Sequence, residues 1–210
     1  MDTIYKSDTK RVFLTFDDGP SPVTSKILDI LKQENVKATF FILGSNVDSR
    51  KDVVKRMYEE GHYLANHGYS HTYSKIYSSP QSVLDEYNEC NDKVKNAIEV
   101  PDYNSHLFRF PGGLAGGKYA EIKKEAKELL LQNNIVNVDW NALTGDAETN
   151  NLSVEFEMTR LTETMESKNS LVILMHDAAA KSVTADALPQ IIAKLWEVGY
   201  EFKNFYDIIK

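Results

Sequence analysis

The feature that most constrains this chain is an alternation that runs its whole length. Short apolar runs rich in β-formers are each followed by a longer segment with apolar residues at helical spacing. The apolar runs lie at 12–14, 38–43, 63–65, 106–110, 135–140 and 171–175, with 200–205 as a seventh. Between them, helices are expected from an N-cap at Thr24 to about residue 35, and over 52–60, 82–98, 119–131, 152–166 and 185–198. Gly61 and Gly199 mark two of the helix ends. Gly44-Ser45-Asn46 closes the second strand. Such alternation makes an α/β protein with a parallel sheet covered by helices, either open or closed into a barrel. In both forms ligands bind at the C-terminal ends of the strands. No linker, repeat or shift in composition interrupts the pattern, so residues 1–210 are expected to form one domain.

Composition narrows the classes. A net charge of -7 argues against a nucleic-acid surface and supplies no polybasic membrane patch. One cysteine, Cys90, excludes an internal disulfide and a multi-cysteine metal site. No apolar run approaches the ~18 residues of a membrane span. The opening residues, 1–6, contain no signal-peptide apolar stretch, so the chain is expected either to be cytosolic or to be the trimmed domain of an exported parent.

The polar clusters fall at the strand ends. Thr15-Phe16-Asp17-Asp18-Gly19-Pro20 sets two adjacent carboxylates just beyond the first strand. Their mutual repulsion near apolar surroundings would be relieved by a cation or a shared proton. An Asx-type turn with both acids in water is the alternative for this segment alone. His67 and His71 follow the third strand, Arg109 ends the fourth, Asp146 follows the fifth and His176 follows the sixth. Three of the five histidines are in this set, and the other two, His62 and His106, read as structural or exposed. The four-residue spacing of His67 and His71 can put two imidazoles on one side of a helical turn. With one carboxylate they would make a two-His, one-carboxylate metal site with open positions; the alternative is a polar loop.

These segments, together with Arg109-Phe110-Pro111-Gly112, Trp140 with Asp146, and Leu174-Met175-His176, resemble the five ordered motifs of the NodB-like polysaccharide deacetylases, carbohydrate esterase family four. The likeness covers about 10–205 and is most similar to bacterial peptidoglycan-deacetylase members. It implies a distorted (β/α)7 barrel and hydrolytic removal of acetyl groups from N-acetylated sugars. It also implies one divalent metal, zinc ahead of cobalt, nickel or manganese. Carried over, Asp18, His67 and His71 are the metal ligands, Asp17 the general base and His176 the general acid. Arg109 holds Asp17 ionised, and Asp146 supports Arg109 and His176. Leu174 and Trp140 line the acetyl pocket, and the Gly112 N–H assists at the oxyanion. Amide hydrolysis requires an activated water, a stabilised oxyanion and a proton for the amine.

Three positions depart from the pattern. Gly68 stands where the family carries Thr or Ser, with loss of a hydroxyl that would brace the metal loop. Phe110 replaces the first proline of Arg-Pro-Pro, and Ala147 replaces a second tryptophan. Rival readings are a metal-free sugar-binding module, a non-haem iron oxygenase, and a hydrolase of small amides or O-acetyl esters. The exposed aromatics Tyr69, Tyr73 and Trp140 are candidates for stacking on sugars, Tyr73 reading rather as a plain loop residue. The expected partner is an acetylated glycan, met by a monomer outside the membrane as part of an exported or anchored parent.

Overall fold

The computed structural model describes residues 2–209; positions 1 and 210 of the expected domain lie outside them. After a short 3-10 turn, β1 (Arg11–Asp17) leads into α1 (Pro22–Gln33), β2 (Thr39–Ile42), the single turn α2 (Gly44–Val47) and α3 (Lys51–Glu59). Next come β3 (Tyr63–Asn66), the short α4 (Tyr73–Ile76), α5 (Pro80–Ile98), β4 (Leu107–Phe108) and α6 (Ala120–Gln132). Then come β5 (Val136–Asn137), β6 (Ala142–Leu143), α7 (Val154–Met165), β7 (Ser170–His176), α8 (Ser182–Glu197), β8 (Glu201–Lys203) and a 3-10 turn, Phe205–Asp207.

All the strands pair in parallel, seven of them in the order β5-β4-β3-β2-β1-β7-β6 and β8 beside β1 off this path. The central strand β1 pairs with β7 along its length, from Arg11 with Ser170 to Asp17 with His176. It is shared between two further neighbours: Arg11–Phe13 pairs with β8, and Thr15–Asp17 pairs with β2. The sheet curls into a half-barrel with its helices outside, in keeping with the expected distorted (β/α)7 barrel. Among the described residues no helix is long and apolar enough to cross a membrane.

Strand alternation decides what faces where. Val12, Leu14 and Phe16 join Ile27, Leu28, Ile42, Ile173, Met175 and Ile191 in the core between sheet and helices. The intervening residues Phe13, Phe41, Ala65, Leu107 and Val172 pack inside the half-barrel, above Ile4 and Phe205. The same parity carries Asp17, His67, Arg109, Leu174 and His176 onto the inner face at the C-terminal end.

Several expected boundaries move for identifiable reasons. Helix α1 is capped by Ser21, not Thr24, because Pro22 is pre-set for the first helical position. The Ser21 hydroxyl accepts from the Val23 N–H and Thr24 Oγ1 accepts from the Ser21 N–H, a capping box. Likewise α5 begins at Pro80, capped by Ser79. Of the expected strand at 135–140 only β5 forms, and a further strand, β6, follows it at Ala142–Leu143. Between them the carbonyls of Val138 and Asp139 accept from Arg109 Nε at 2.9 Å and Nη2 at 3.0 Å, so they are withdrawn from any ladder. Asn141 then caps β7, accepting from Val172 N–H and donating to the Ser170 carbonyl. The sheet therefore has eight strands rather than seven.

Candidate functional site

Asp17 ends β1 on the inner face and is only 2% exposed. Its Oδ1 accepts from Arg109 Nη1 at 2.7 Å. Arg109 is fully buried, and the same Nη1 donates to Thr15 Oγ1 at 2.9 Å. The guanidinium lies 3.9 Å from the centre of the Phe41 ring. Every part of the fork is thus oriented before any ligand arrives. Burial pushes the Asp17 carboxyl up from its usual range, and the charges of Arg109 and His176 pull it back.

Asp18 turns away from the strand with φ of +76°, a left-handed conformation rare outside glycine. Its Oδ1 is buried and has no hydrogen-bond partner among the described residues. That atom lies 3.6 Å from His67 Nε2 and 3.5 Å from His71 Nε2. One ligand atom from each of Asp18, His67 and His71 falls within 4.8 Å of the others. His67 Nδ1 donates to the Arg109 carbonyl at 2.7 Å, which leaves the Nε2 lone pair facing Asp18. Burial drives the His67 pKa down to about 3, so the ring is neutral, as a ligand must be. An orphaned carboxylate oxygen beside two imidazole nitrogens fits a divalent cation.

The helical turn that the His67–His71 spacing allows does not form. The segment is a loop, with Gly68 at φ of +83° and His71 at +52°. The loop is braced from α5: both Glu86 oxygens are engaged, one accepting from the Tyr69 and Ser70 N–H groups at 2.9 Å each, the other from the Ser70 hydroxyl. A Cβ at Gly68 would stand 2.8 Å from Ile76 and 3.2 Å from Glu86, so glycine is required beside this brace.

His176 ends β7 opposite Asp17. Its Nδ1 is 2.8 Å from Asp146 Oδ1, and its backbone N–H donates to Asp146 Oδ2 at 2.7 Å. Burial lowers the imidazole pKa, but the hydrogen bond and charge of Asp146, with those of Asp17 and Asp18, raise it to about 9. Asp146 Oδ2 also accepts from Thr184 Oγ1 at 3.1 Å, and that hydroxyl lies 3.2 Å from the fully buried Glu157. Asp177 lies behind the first turn, where its side chain leaves no room for a Cβ at Gly19. Its carboxyl is pushed up to about 7 by burial, despite the hydrogen bond from Thr24.

The other expected positions are more dispersed. Leu174 is inward on β7, in register with Thr15. Trp140 lies against Gly113, 5.7 Å from the Arg109 guanidinium, and lines a separate cavity with Leu114 and Asp139. Gly112 has φ of +74°, with the Tyr73 hydroxyl directly over it. Tyr73 also lies 5.7 Å from the His71 ring, so this residue stands at the rim of the site rather than in a detached loop. His62 is a buried structural residue whose Nδ1 accepts from the Ala38 N–H. His106 is half-buried, with Nδ1 at 3.0 Å from the Asn134 carbonyl. Glu86, Thr184, Glu157 and Asp177 were not singled out from sequence, since only the folded chain brings their partners to them.

Comparison with known proteins agrees with this geometry. The family profile described as polysaccharide deacetylase matches residues 5–132. A Bacillus subtilis protein named putative polysaccharide deacetylase YheN is 38% identical over 94% of this chain and 68% of its own length. A Bacillus cereus peptidoglycan-N-acetylglucosamine deacetylase is 33% identical over 95% of this chain and 71% of its own. A Streptococcus mutans CE4 esterase superposes with a TM-score of 0.88 at 34% identity, covering 97% of this chain and 90% of that one. This chain belongs to the polysaccharide deacetylase family.

Proposed function

We propose that this chain is a single catalytic domain that removes N-acetyl groups from an N-acetylglucosamine polymer, peptidoglycan first. The observation that carries the reading is the pairing of a buried, arginine-held Asp17 with an Asp18, His67 and His71 donor set, across from His176.

Asp18, His67 and His71 would hold one divalent metal, zinc by the chemistry of the donors. When bound, the metal supplies a Lewis acid for the acetyl carbonyl and brings the pKa of a water to about 7. Asp17 takes the proton of the attacking water, with Arg109 fixing which oxygen is free to do so. His176, held through Nδ1 by Asp146, gives its proton to the departing nitrogen as the acetamide C–N bond breaks. A pKa raised to about 9 keeps that proton in place at neutral pH. The Gly112 N–H donates to the developing oxyanion. Leu174, with Trp140 from beside Gly113, walls the acetyl methyl. The products are acetate and a free amino sugar.

The reading implies a domain that acts as a monomer on an extracellular or wall-bound glycan, carried by an exported or anchored parent. The likeness to a CE4 esterase keeps a second reading open, O-acetyl cleavage at the same site. Acetate release from N-acetylglucosamine oligomers, peptidoglycan and acetylated xylan, with zinc and with chelator, separates the two. Metal-dependent acetate from the amides supports N-deacetylation. Acetate from xylan alone would replace it with esterase activity.

A further inference from the structure

The chain has five arginines, and four are committed. Arg109 holds Asp17, Arg56 pairs with Asp29 and Glu60, Arg160 pairs with Glu148 and Glu163, and Arg11 donates to Ser170. Arg50 differs. Its side chain has no hydrogen bond, ion pair or ring contact among the described residues. Its backbone is the opposite: the N–H donates to the Val47 carbonyl, and its carbonyl accepts from Val53 and Val54 as α3 begins. An uncommitted guanidinium thus stands on a firmly fixed base.

Arg50 lines a cleft of 390 Å³ together with Asp18, His71, Asn46 and Ser49. Asn46 is itself anchored, donating to the Asp18 carbonyl at 2.9 Å. Of the two acids nearest in sequence, Asp48 is already paired with Lys51 and Lys93, and Asp52 makes no ion pair with Arg50 among the described residues. A half-buried, unpaired guanidinium offers a planar fork of donors matched to a carboxylate. In a chain with net charge -7, an acidic substrate needs such a local cation to be accepted.

We infer that Arg50 is a specificity-determining residue that receives a carboxylate of the glycan, so the cleft prefers a carboxylate-bearing N-acetylhexosamine polymer to a neutral one. The inference rests on the deacetylase reading and names its substrate class. A polymer whose alternate sugars carry lactyl-ether carboxylates meets the requirement; an unmodified N-acetylglucosamine oligomer does not.

The test compares wild type, Arg50→Gln and Arg50→Lys on two matched substrates: an N-acetylglucosamine tetramer, and a peptidoglycan glycan fragment of similar length with free lactyl carboxylates. Arg50→Gln should lower kcat/KM on the acidic fragment about 10- to 100-fold, mainly through KM, the worth of one charge-assisted hydrogen bond. On the neutral tetramer it should stay within about twofold. Arg50→Lys should recover part of the loss, and methyl esterification of the fragment should erase the difference between wild type and Arg50→Gln. Equal losses on both substrates, or no loss on either, would overturn the inference. If wild type releases no acetate from either substrate, the activity reading fails separately. Calorimetric binding of the same two glycans to wild type and Arg50→Gln then decides: selective loss of the acidic fragment's binding supports the role, and unchanged or equal binding overturns it.

Discussion

Arg109→Met is the perturbation that probes the centre most sharply. In the native protein the guanidinium satisfies Asp17 Oδ1, Thr15 Oγ1 and the carbonyls of Val138 and Asp139, all out of water. Methionine approximates the volume and stacks as well on Phe41, but it leaves Asp17 buried without its charge partner. Breaking a buried ion pair from one side costs about 3–5 kcal/mol. Two carbonyls that were hydrogen-bonded to a cation are stranded as well, each worth about 1–3 kcal/mol if no water reaches it. A loss of at least about 4 kcal/mol is expected, a large share of the ~5–15 kcal/mol typical of a domain. The assay is urea unfolding of metal-stripped protein at pH 7, followed by circular dichroism, for wild type, Asp17→Asn, Arg109→Met and the double variant. Part of the Arg109→Met cost should vanish in the Asp17→Asn background, because the stranded charge is gone; a coupling of about 2 kcal/mol or more is expected. A loss below about 1 kcal/mol, or strict additivity, would refute the view that Arg109 is there to hold a buried Asp17 charge.

Two further outcomes are expected. Burial and the charge of Asp146 raise the Glu157 carboxyl to about 7, against the hydrogen bond from Thr184. Between the usual carboxylate range and pH 7 the native state therefore binds more protons than the unfolded one, so this group makes stability fall as pH rises through that window. Glu157→Gln should remove that loss, gaining up to about 3 kcal/mol over wild type at pH 8 relative to pH 4; thermal melts across pH that show no such divergence would contradict it. Glu86→Gln weakens the acceptor that gathers the Tyr69 and Ser70 N–H groups, and should lower zinc affinity about 10-fold by calorimetry while leaving His67 and His71 in place. Unchanged affinity would show that the loop is fixed without Glu86.

Much of this was legible in the sequence because it is local. A continuous apolar run leading into Asp17-Asp18 announces a buried strand with the two acids at its C-terminal end, and the parity that buries Phe13 inside the half-barrel also turns Asp17 inward. His67, Arg109 and His176 were found the same way, each just past an apolar run. What could not be read was tertiary. The break between β5 and β6 comes from Arg109 taking two carbonyls, contacts about 30 residues apart. Gly68 reads in sequence as a missing hydroxyl. In the fold it is a glycine required by φ of +83° and by Ile76, and the brace comes from Glu86 on α5. Thr24 looked like a cap because a cap and the third helical residue share the same chemistry; the Pro22 ring, not the hydroxyl, decides between them.

The most direct measurement is acetate release from peptidoglycan by wild type and Asp17→Asn, both loaded to the same zinc content. The account predicts steady acetate from wild type, abolished by chelator and restored by metal. It predicts a loss of at least about 100-fold in Asp17→Asn, because a general base contributes about 10²–10⁴. Asp17→Asn activity near wild type at equal zinc would contradict it, since water activation would then owe nothing to the carboxylate that Arg109 holds.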